Sequence, residues 1–134
     1  MKKLIFFIVI TLFISCKKDP LLIIPKKGVS NFKIGEKLDK SLDLEGLEFL
    51  LNPVDSLIIH IDVFDNKFYT KKKIRVGTKS SLVKEKMGKP ISGPVIKKNQ
   101  KIKQKKRSET SLRYNHITFF LDTDTKTVKK IRIW

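Results

Sequence analysis

Alternating apolar and polar positions indicate the strands of this chain. Residues 57–64 alternate with a period of two, which predicts a strand, and Asp65 and Asn66 allow a tight turn into a second strand over residues 67–70. Near the C-terminus, residues 112–121 and 128–133 show the same period on either side of a short polar stretch. We therefore predict a C-terminal β-hairpin.

Helical spacing appears before each group of strands. A helix is predicted over residues 79–87, with Thr78 able to cap its start and Gly88, followed by Pro90, able to end it. Leucines spaced along residues 37–51 predict one or two short helices earlier in the chain. The fold class predicted from this order is α+β, with short helices packed on one face of a curved antiparallel sheet.

The two halves of the chain share a short pattern. Residues 33–37 and residues 75–79 each read as a basic residue, an aliphatic residue, glycine, any residue and lysine. We take this echo as the sign of two tandem helix-then-strand half-repeats, residues 31–73 and 74–134, with chance similarity as the alternative.

The first fifteen residues have the three-part layout of a secretory signal. Lys2 and Lys3 give a positive start, residues 4–14 are almost entirely apolar, and the small Ser15 follows. The apolar run is shorter than the roughly 20 residues that a transmembrane helix needs. We predict a signal peptide over residues 1–15 in preference to a permanent membrane span or a buried N-terminal element.

The leader ends at the chain's single cysteine. Residues 13–16 (Phe-Ile-Ser-Cys) resemble the lipobox of bacterial lipoproteins, and residues 16–19 are similar to the start of many lipoproteins from the Bacteroidetes and related Gram-negative bacteria. The resemblance implies that Cys16 becomes the first mature residue and carries a diacylglyceryl group and an amide-linked acyl chain such as palmitate. A lipid group of this kind together with a second acyl chain gives stable membrane attachment. The resemblance places the protein in the cell envelope, and we favour the outer membrane over the inner.

The mature chain is predicted to start with a tether. Two prolines disfavour a helix in residues 16–30, and the apolar stretch 21–24 either docks on the domain as an edge strand or lies near the lipid. One small α+β domain follows over residues 31–134.

The net charge of the chain indicates what kind of partner it binds. The chain has 30 Lys and Arg against 13 Asp and Glu, a formal net charge of +17, which predicts attraction to anionic surfaces or polymers. A predicted loop over residues 91–111 contains seven basic residues and no acidic residue among them. Residues 71–73 could extend the same basic face. Such a run is either a solvated, mobile loop or a contact with anionic lipid or lipopolysaccharide. The seven residues are Lys97, Lys98, Lys101, Lys103, Lys105, Lys106 and Arg107.

Groups for catalysis or metal binding are sparse. A single cysteine excludes an internal disulfide and a multi-cysteine zinc site. His60 and His116 each lie in a strand-like segment, and Asp122 and Asp124 fit a hairpin turn better than a calcium loop. We expect no metal, no cofactor and no enzymatic activity. Nucleic acid is a minor alternative partner, because the basic run contains no aromatic residue for base stacking.

A wider resemblance concerns the second half of the chain. Residues 76–90, then Tyr114 and the hairpin over residues 117–133, are similar to a pattern in small envelope lipoproteins. These include the small lipoprotein of the outer-membrane β-barrel assembly machinery and the β-lactamase-inhibitor-protein-like domains. The resemblance implies a non-catalytic module that binds or scaffolds an envelope protein whose identity is unknown. The alternative is an inhibitor or immunity protein for an envelope or secreted hydrolase. No contact residue carries over.

The lipid anchor gives the first testable prediction. Wild-type protein should incorporate labelled fatty acid and have an intact mass that fits removal of residues 1–15 plus acylation, whereas Cys16→Ala should do neither, because it lacks the thiol that accepts the lipid. Mass spectrometry of the membrane fraction checks this. An unmodified wild-type chain in the cytoplasm would contradict it.

Overall fold

The computed structural model describes residues 19–91 and 110–134, which form two β-sheets and one helix. The elements in chain order are β1 (Leu22–Ile24), β2 (Gly28–Val29), β3 (Phe32–Lys33), β4 (Leu47–Leu51), β5 (Ile58–Val63), β6 (Tyr69–Thr70), α1 (Ser80–Met87), β7 (Ser111–Tyr114), β8 (Ile117–Leu121) and β9 (Val128–Ile133).

The larger sheet contains five antiparallel strands in the order β4-β5-β9-β8-β7. The strand predicted over residues 57–64 is confirmed as β5, and the predicted C-terminal hairpin is confirmed as β8 and β9. Strand β9 lies in the middle and pairs with β5 on one side, where Ile133 faces Ile61, and with β8 on the other. Two hairpins are thereby joined into one sheet.

The smaller sheet contains four short strands in the order β3-β2-β1-β6, and its β1 and β6 run parallel. Residues 67–70 were expected to turn back from β5, but β6 pairs with β1 instead. The physical reason is that β4 and β9 already occupy both edges of β5. The chain therefore crosses from one sheet to the other after Val63.

The core lies between the two sheets. The inner side of the larger sheet packs against β1, β2 and β3, and the rings of Phe32 and Phe49 meet across this contact with centroids 4.8 Å apart. Helix α1 adds Val83, which is fully buried. Since the apolar side of every long strand faces this core, burial of these side chains is the main contribution to stability.

The folded part begins before residue 31. Strands β1 and β2 lie within the predicted tether, and Ile23 and Val29 belong to the core. Strand β1 is also an inner strand, between β2 and β6, and not an edge strand. Pro20 and Pro25 lie outside the three residues of β1, so neither removes a hydrogen bond from the ladder. The predicted domain boundary at residue 31 is therefore too late.

The helices predicted over residues 37–51 are absent: this described stretch contains turns and then β4. The carboxylate of Asp39 accepts the N–H of Ser41, and that of Asp43 accepts the N–H of Glu45, each at 2.9 Å. Such side-chain turns compete with the helical hydrogen-bond pattern. Apart from Leu50, the leucines of the stretch still pack against the core, which explains their helix-like spacing.

The predicted second helix is confirmed as α1, which makes the fold α+β with a low helix content. Gly88 ends it with φ 82°, and its N–H donates to the carbonyl of Lys84. Thr78 does not cap the start, because its hydroxyl oxygen accepts the N–H of Arg75 at 3.0 Å. Residue 79 occupies the capping position instead, and its side chain makes no capping bond.

The two glycine-containing segments bond to the two hairpins in the same way. Gly35 donates its N–H to the carbonyl of Ile58 at 2.8 Å, and Gly77 donates to Val128 at 2.7 Å. Ile58 and Val128 return N–H bonds of 2.9 and 2.8 Å to the carbonyl that follows each glycine. Both glycines have a positive φ, 83° and 91°, which other residues adopt at a cost. Each segment is thus fixed to the first residue of a second hairpin strand.

The position of β1 gives a stability prediction. Ile23→Ala should lower the free energy of unfolding by about 3 kcal/mol, because Ile23 is 0% exposed and its loss leaves a cavity. The matched control, Leu21→Ala, removes a neighbouring side chain that is 36% exposed and should cost much less. Urea unfolding followed by circular dichroism measures both. Equal, small effects would mean that β1 does not belong to the folded domain.

Candidate functional site

The predicted site residues lie outside the described residues. These are the lipidation residue Cys16 and the seven basic residues of the run over residues 97–107. The flanks of the run are described: the N–H of Ile91 donates to the carbonyl of Arg113 at 2.8 Å, so residue 91 lies beside β7. The lipid attachment and the role of the basic run stay predictions.

A polar row crosses the larger sheet on the side that faces away from the core, which we call the outer face. Strand register places one residue of each strand side by side, in the order Glu48, Asp62, Arg132, Thr118 and Arg113. Because side chains alternate along a strand, the residues two positions away on each strand lie on this same face. Glu48 and Arg113 at the two ends of the row are exposed, Arg132 is half-buried, and Asp62 and Thr118 are buried.

Asp62 is the centre of this row. Arg132 donates to both of its carboxylate oxygens, with Nε at 2.6 Å from Oδ1 and a terminal nitrogen at 2.7 Å from Oδ2, and Lys130 donates to Oδ2 at 3.1 Å. Only 5% of Asp62 is exposed. Burial disfavours the charged carboxylate, but the hydrogen bonds from Arg132 and Lys130 outweigh it, so the pKa of Asp62 is lowered.

Aromatic rings and cations alternate beside the polar row. The ammonium of Lys130 lies 4.5 Å from the ring centroid of Phe120 and 5.7 Å from that of Phe64. At the far edge, the guanidinium of Arg113 lies 5.5 Å from the ring of Trp134. Cations in these positions are attracted to the ring faces. These rings and cations occupy the outward positions of the alternating strands, whereas the period of two is recognised from the inward, apolar positions.

The two histidines have different positions. His60 lies in β5, as predicted, and its pKa is lowered by burial and by the positive charge of Arg132. Its imidazole is therefore neutral near pH 7. His116 lies in the turn between β7 and β8 with φ 58°, and not in a strand, and its ring centroid is 6.4 Å from that of Trp134.

The acidic stretch near the C-terminus forms a turn, as expected. The oxygen Oδ1 of Asp122 accepts the N–H of Thr125 at 2.9 Å and the N–H of Asp124 at 3.0 Å. These bonds lower the pKa of Asp122, and Thr125 is the larger cause. The carboxylate is therefore engaged by its own turn. Within residues 19–91 and 110–134, no group of three or more His, Cys, Asp or Glu residues could hold a metal ion.

A second feature is a group of cations that we call the basic corner. It combines the turn after β6 with the last turn of α1. Lys72 donates its ammonium to the carbonyl of Lys86 at 2.6 Å, and Lys86 donates to the carbonyl of Lys72 at 3.1 Å. These reciprocal bonds hold the turn against the helix. The basic corner consists of Lys71, Lys72, Lys73, Arg75 and Lys86.

The start of the described chain lies at the basic corner. The hydroxyl of Tyr69 donates to the carboxylate of Asp19, and this bond is the main cause of the lowered pKa of Asp19. The same tyrosine ring has the ammonium of Lys73 at 4.2 Å and the guanidinium of Arg75 at 5.6 Å from its centroid. Residue 19, three positions after the predicted lipid-bearing cysteine, is therefore next to the cations.

A cleft of about 400 Å³ lies over β1, β2 and β3 and is lined mainly by apolar and basic side chains. Its one acid, Glu36, pairs with Lys33 at 2.8 Å. The cleft offers no pairing of a base with a nucleophile among its lining residues. It adds no candidate chemistry to that of the outer face and the basic corner.

Comparisons with known proteins identify no relative. No protein-family model matches the chain, and no curated protein or solved structure shows a significant match.

None of the described helices has the length and apolar character needed to cross a membrane.

The ion pairs of Asp62 predict how the stability of the domain changes with pH. At neutral pH, Asp62→Asn should lower the free energy of unfolding by about 2 kcal/mol, since it removes charge-assisted hydrogen bonds from Lys130 and Arg132, which are themselves partly exposed to solvent. The pKa of Asp62 is depressed in the folded state, so its contribution is complete above about pH 4 and is lost as the pH falls below that value. Urea unfolding at a series of pH values should show the difference between wild type and variant shrinking in acid.

Glu48→Gln is the matched control. Glu48 faces Asp62 directly across the β4–β5 pair, and like charges in that position repel. Its removal should leave stability unchanged or slightly raised at neutral pH. A loss equal to that of Asp62→Asn would contradict the special role of the Asp62 pairs.

Proposed function

We propose that this protein is a lipid-anchored envelope protein whose α+β domain is a non-catalytic module that binds another envelope protein. The observation that carries the proposal is the outer face of the larger sheet. It presents rings and cations from the end of β5 to β7, and Phe64 and Arg113 among them are exposed. Arginine and aromatic side chains of this kind are enriched among the residues that dominate protein interfaces.

The chemistry of the outer face indicates the kind of partner. Lys130 and Arg132 share the single carboxylate of Asp62, and Arg113 forms no ion pair with any described carboxylate. With Glu48 included, three cations stand against two carboxylates, so the face has one cation in excess, beside partly exposed Phe64 and Trp134. A partner segment with apolar side chains flanked by Asp or Glu would complement it.

The non-catalytic role is supported by the way the polar side chains are engaged. Asp62 is bonded to two cations, and Asp122 is bonded within its own turn. Among the described residues, the charged groups that act on His60 are Arg132, Asp62 and Lys130, which are already paired with one another. Within the described residues these contacts stabilise structure, which favours a binding role over a catalytic one.

The lipid anchor is supported by the leader pattern of residues 1–15 and by Cys16 at its end. We propose the outer membrane as the location, in line with the resemblance to small envelope lipoproteins. The lipid would fix the chain at a membrane surface, and the domain would then hold its partner there. The alternative function is inhibition of a hydrolase, and the identity of the partner would distinguish it from the scaffold role.

We further propose that residues 31–73 and 74–134 are related half-repeats. Support comes from the equivalent bonds of Gly35 and Gly77 to the two hairpins. Each hairpin also has a register shift at the matching place, between Leu50 and Leu51 in one and between residues 120 and 121 in the other. In this arrangement α1 belongs to the second half, and side-chain turns replace a helix in the first.

Site-specific photo-crosslinking tests the binding face. A photo-reactive amino acid at Leu50, which is 48% exposed on the outer face, should give a discrete protein adduct when the full-length chain is irradiated in its own cells. The matched control is the same amino acid at Val54, which is 91% exposed in the β4–β5 turn and should give none. The adduct should disappear in an Arg113→Glu background, because the reversed charge repels an acidic partner.

The outcomes separate the alternatives. A partner segment rich in Asp and Glu at the crosslink supports the proposal. A secreted or envelope hydrolase as the adduct would establish the inhibitor function and replace the scaffold role. Equal adducts from Leu50 and Val54, or an adduct that persists with Arg113→Glu, would refute the outer face as the binding surface.

A further inference from the structure

We infer that the basic corner is a membrane-contact surface that binds the phosphate groups of anionic lipids and sets the orientation of the anchored domain. The inference rests on the proposed lipid anchor and adds to it a surface, a ligand class and a geometry. It assigns this role to residues of the folded domain, separately from the basic run over residues 97–107.

Chain length brings the lipid close to the basic corner. Asp19 follows Cys16 by three positions, so their Cα atoms are separated by at most roughly 11 Å. The carboxylate of Asp19 is bonded to Tyr69, and the ammonium of Lys73 lies 4.2 Å from the ring of that tyrosine. A lipid on Cys16 would therefore enter the membrane next to these cations.

The charge of the basic corner is largely uncompensated. None of its five cations forms an ion pair with a carboxylate in the part of the chain that the structure describes. Asp19 contributes one negative charge beside five positive ones, and its carboxylate accepts the hydroxyl of Tyr69. A surface of this sign at the point of anchoring is complementary to an anionic bilayer.

The local geometry suits phosphate oxygens. An ammonium group has three N–H donors. Lys72 and Lys86 each use one of them on the other's backbone carbonyl, which leaves two donors on each for a ligand. These reciprocal bonds also fix the turn on α1, so less side-chain freedom is lost when the corner meets the membrane. Lys71 and Lys73 extend from the same turn.

Nucleic acid is the rival ligand for a basic surface, and the corner is poorly suited to it. Binding of single strands combines cations with aromatic rings that stack on bases. The aromatic ring at this corner belongs to Tyr69, and it already has Lys73 and Arg75 against it and its hydroxyl on Asp19. Lipid phosphate needs only the cations.

Lysine acetylation of the lipidated full-length product, reconstituted into vesicles, tests the orientation. Vesicles of phosphatidylcholine alone are compared with vesicles that also contain phosphatidylglycerol, and acetylation at each lysine is quantified by mass spectrometry. Lys71, Lys72, Lys73 and Lys86 should react several-fold more slowly on the anionic vesicles. Lys33 is the internal control, because it lies on β3, at the opposite edge of the smaller sheet and roughly 14 Å from β6. Its rate should not change.

A charge-matched pair of variants tests the ligand. Every described element lies after residue 18, so a chain that starts at Cys16 and lacks lipid keeps them all, and circular dichroism checks its fold. Lys71→Gln/Lys73→Gln/Lys86→Gln should bind anionic vesicles roughly 100-fold more weakly than wild type at low salt, at about fivefold for each lysine. Lys33→Gln/Lys37→Gln/Lys40→Gln removes the same charge from exposed positions on β3 and the segment that follows it, and β3 is the edge strand opposite β6. This control should bind much more tightly than the corner variant.

Failure of the two proposals can be told apart. Protein that lacks acyl groups and does not stay in either kind of vesicle would refute the lipid anchor. Protein that is anchored but shows equal acetylation of the corner lysines on both vesicles would refute the corner as a contact surface. Equally weak vesicle binding by the two triple variants would also refute the corner as a membrane-contact surface. So would a corner variant that loses more affinity for single-stranded DNA than for anionic vesicles.

Discussion

The pairing of β5 with β9 is the contact on which the rest of the structure depends. Two hairpins, β4–β5 and β8–β9, could each form locally, but neither alone has enough apolar surface to fold stably. Their second strands meet where Ile61 faces Ile133 and Val63 faces Ile131, which creates one sheet with a continuous inner face. The smaller sheet and α1 then have a surface on which to pack.

The same seam determines the outer face. Asp62 and Arg132 face each other across it, and their bidentate ion pair lies directly behind the apolar contacts. A carboxylate that is 5% exposed would be costly if its cations were removed, so the pairing of β5 with β9 and the ion pairs support each other. Lys130 and Arg132 are thereby held beside Phe120, and the surface that we propose for binding is a consequence of how the sheet is assembled.

The sequence predicted the elements that are determined by residues close together in the chain. The C-terminal hairpin and α1 were found because alternation, turn residues and a glycine stop are local signals. The turns around Asp39 and Asp43 were missed, because apolar spacing alone does not tell a helix from a looped segment that packs on a core. The contacts of the candidate surfaces join residues far apart in sequence, as for Asp62 with Arg132 or Asp19 with Tyr69. Such pairings are set by tertiary structure, and a single sequence does not contain a local signal for them.

The two surfaces that we propose belong to different layers of the domain. The outer face is the side of the larger sheet that points away from the core, whereas the basic corner follows β6, a strand of the smaller sheet on the core side. The ring contact of Phe32 with Phe49 shows that the smaller sheet lies against the inner side of the larger one. A membrane bound at the basic corner would therefore leave the outer face accessible. One small domain could then contact a lipid surface and a protein at the same time, with the core between them as a spacer.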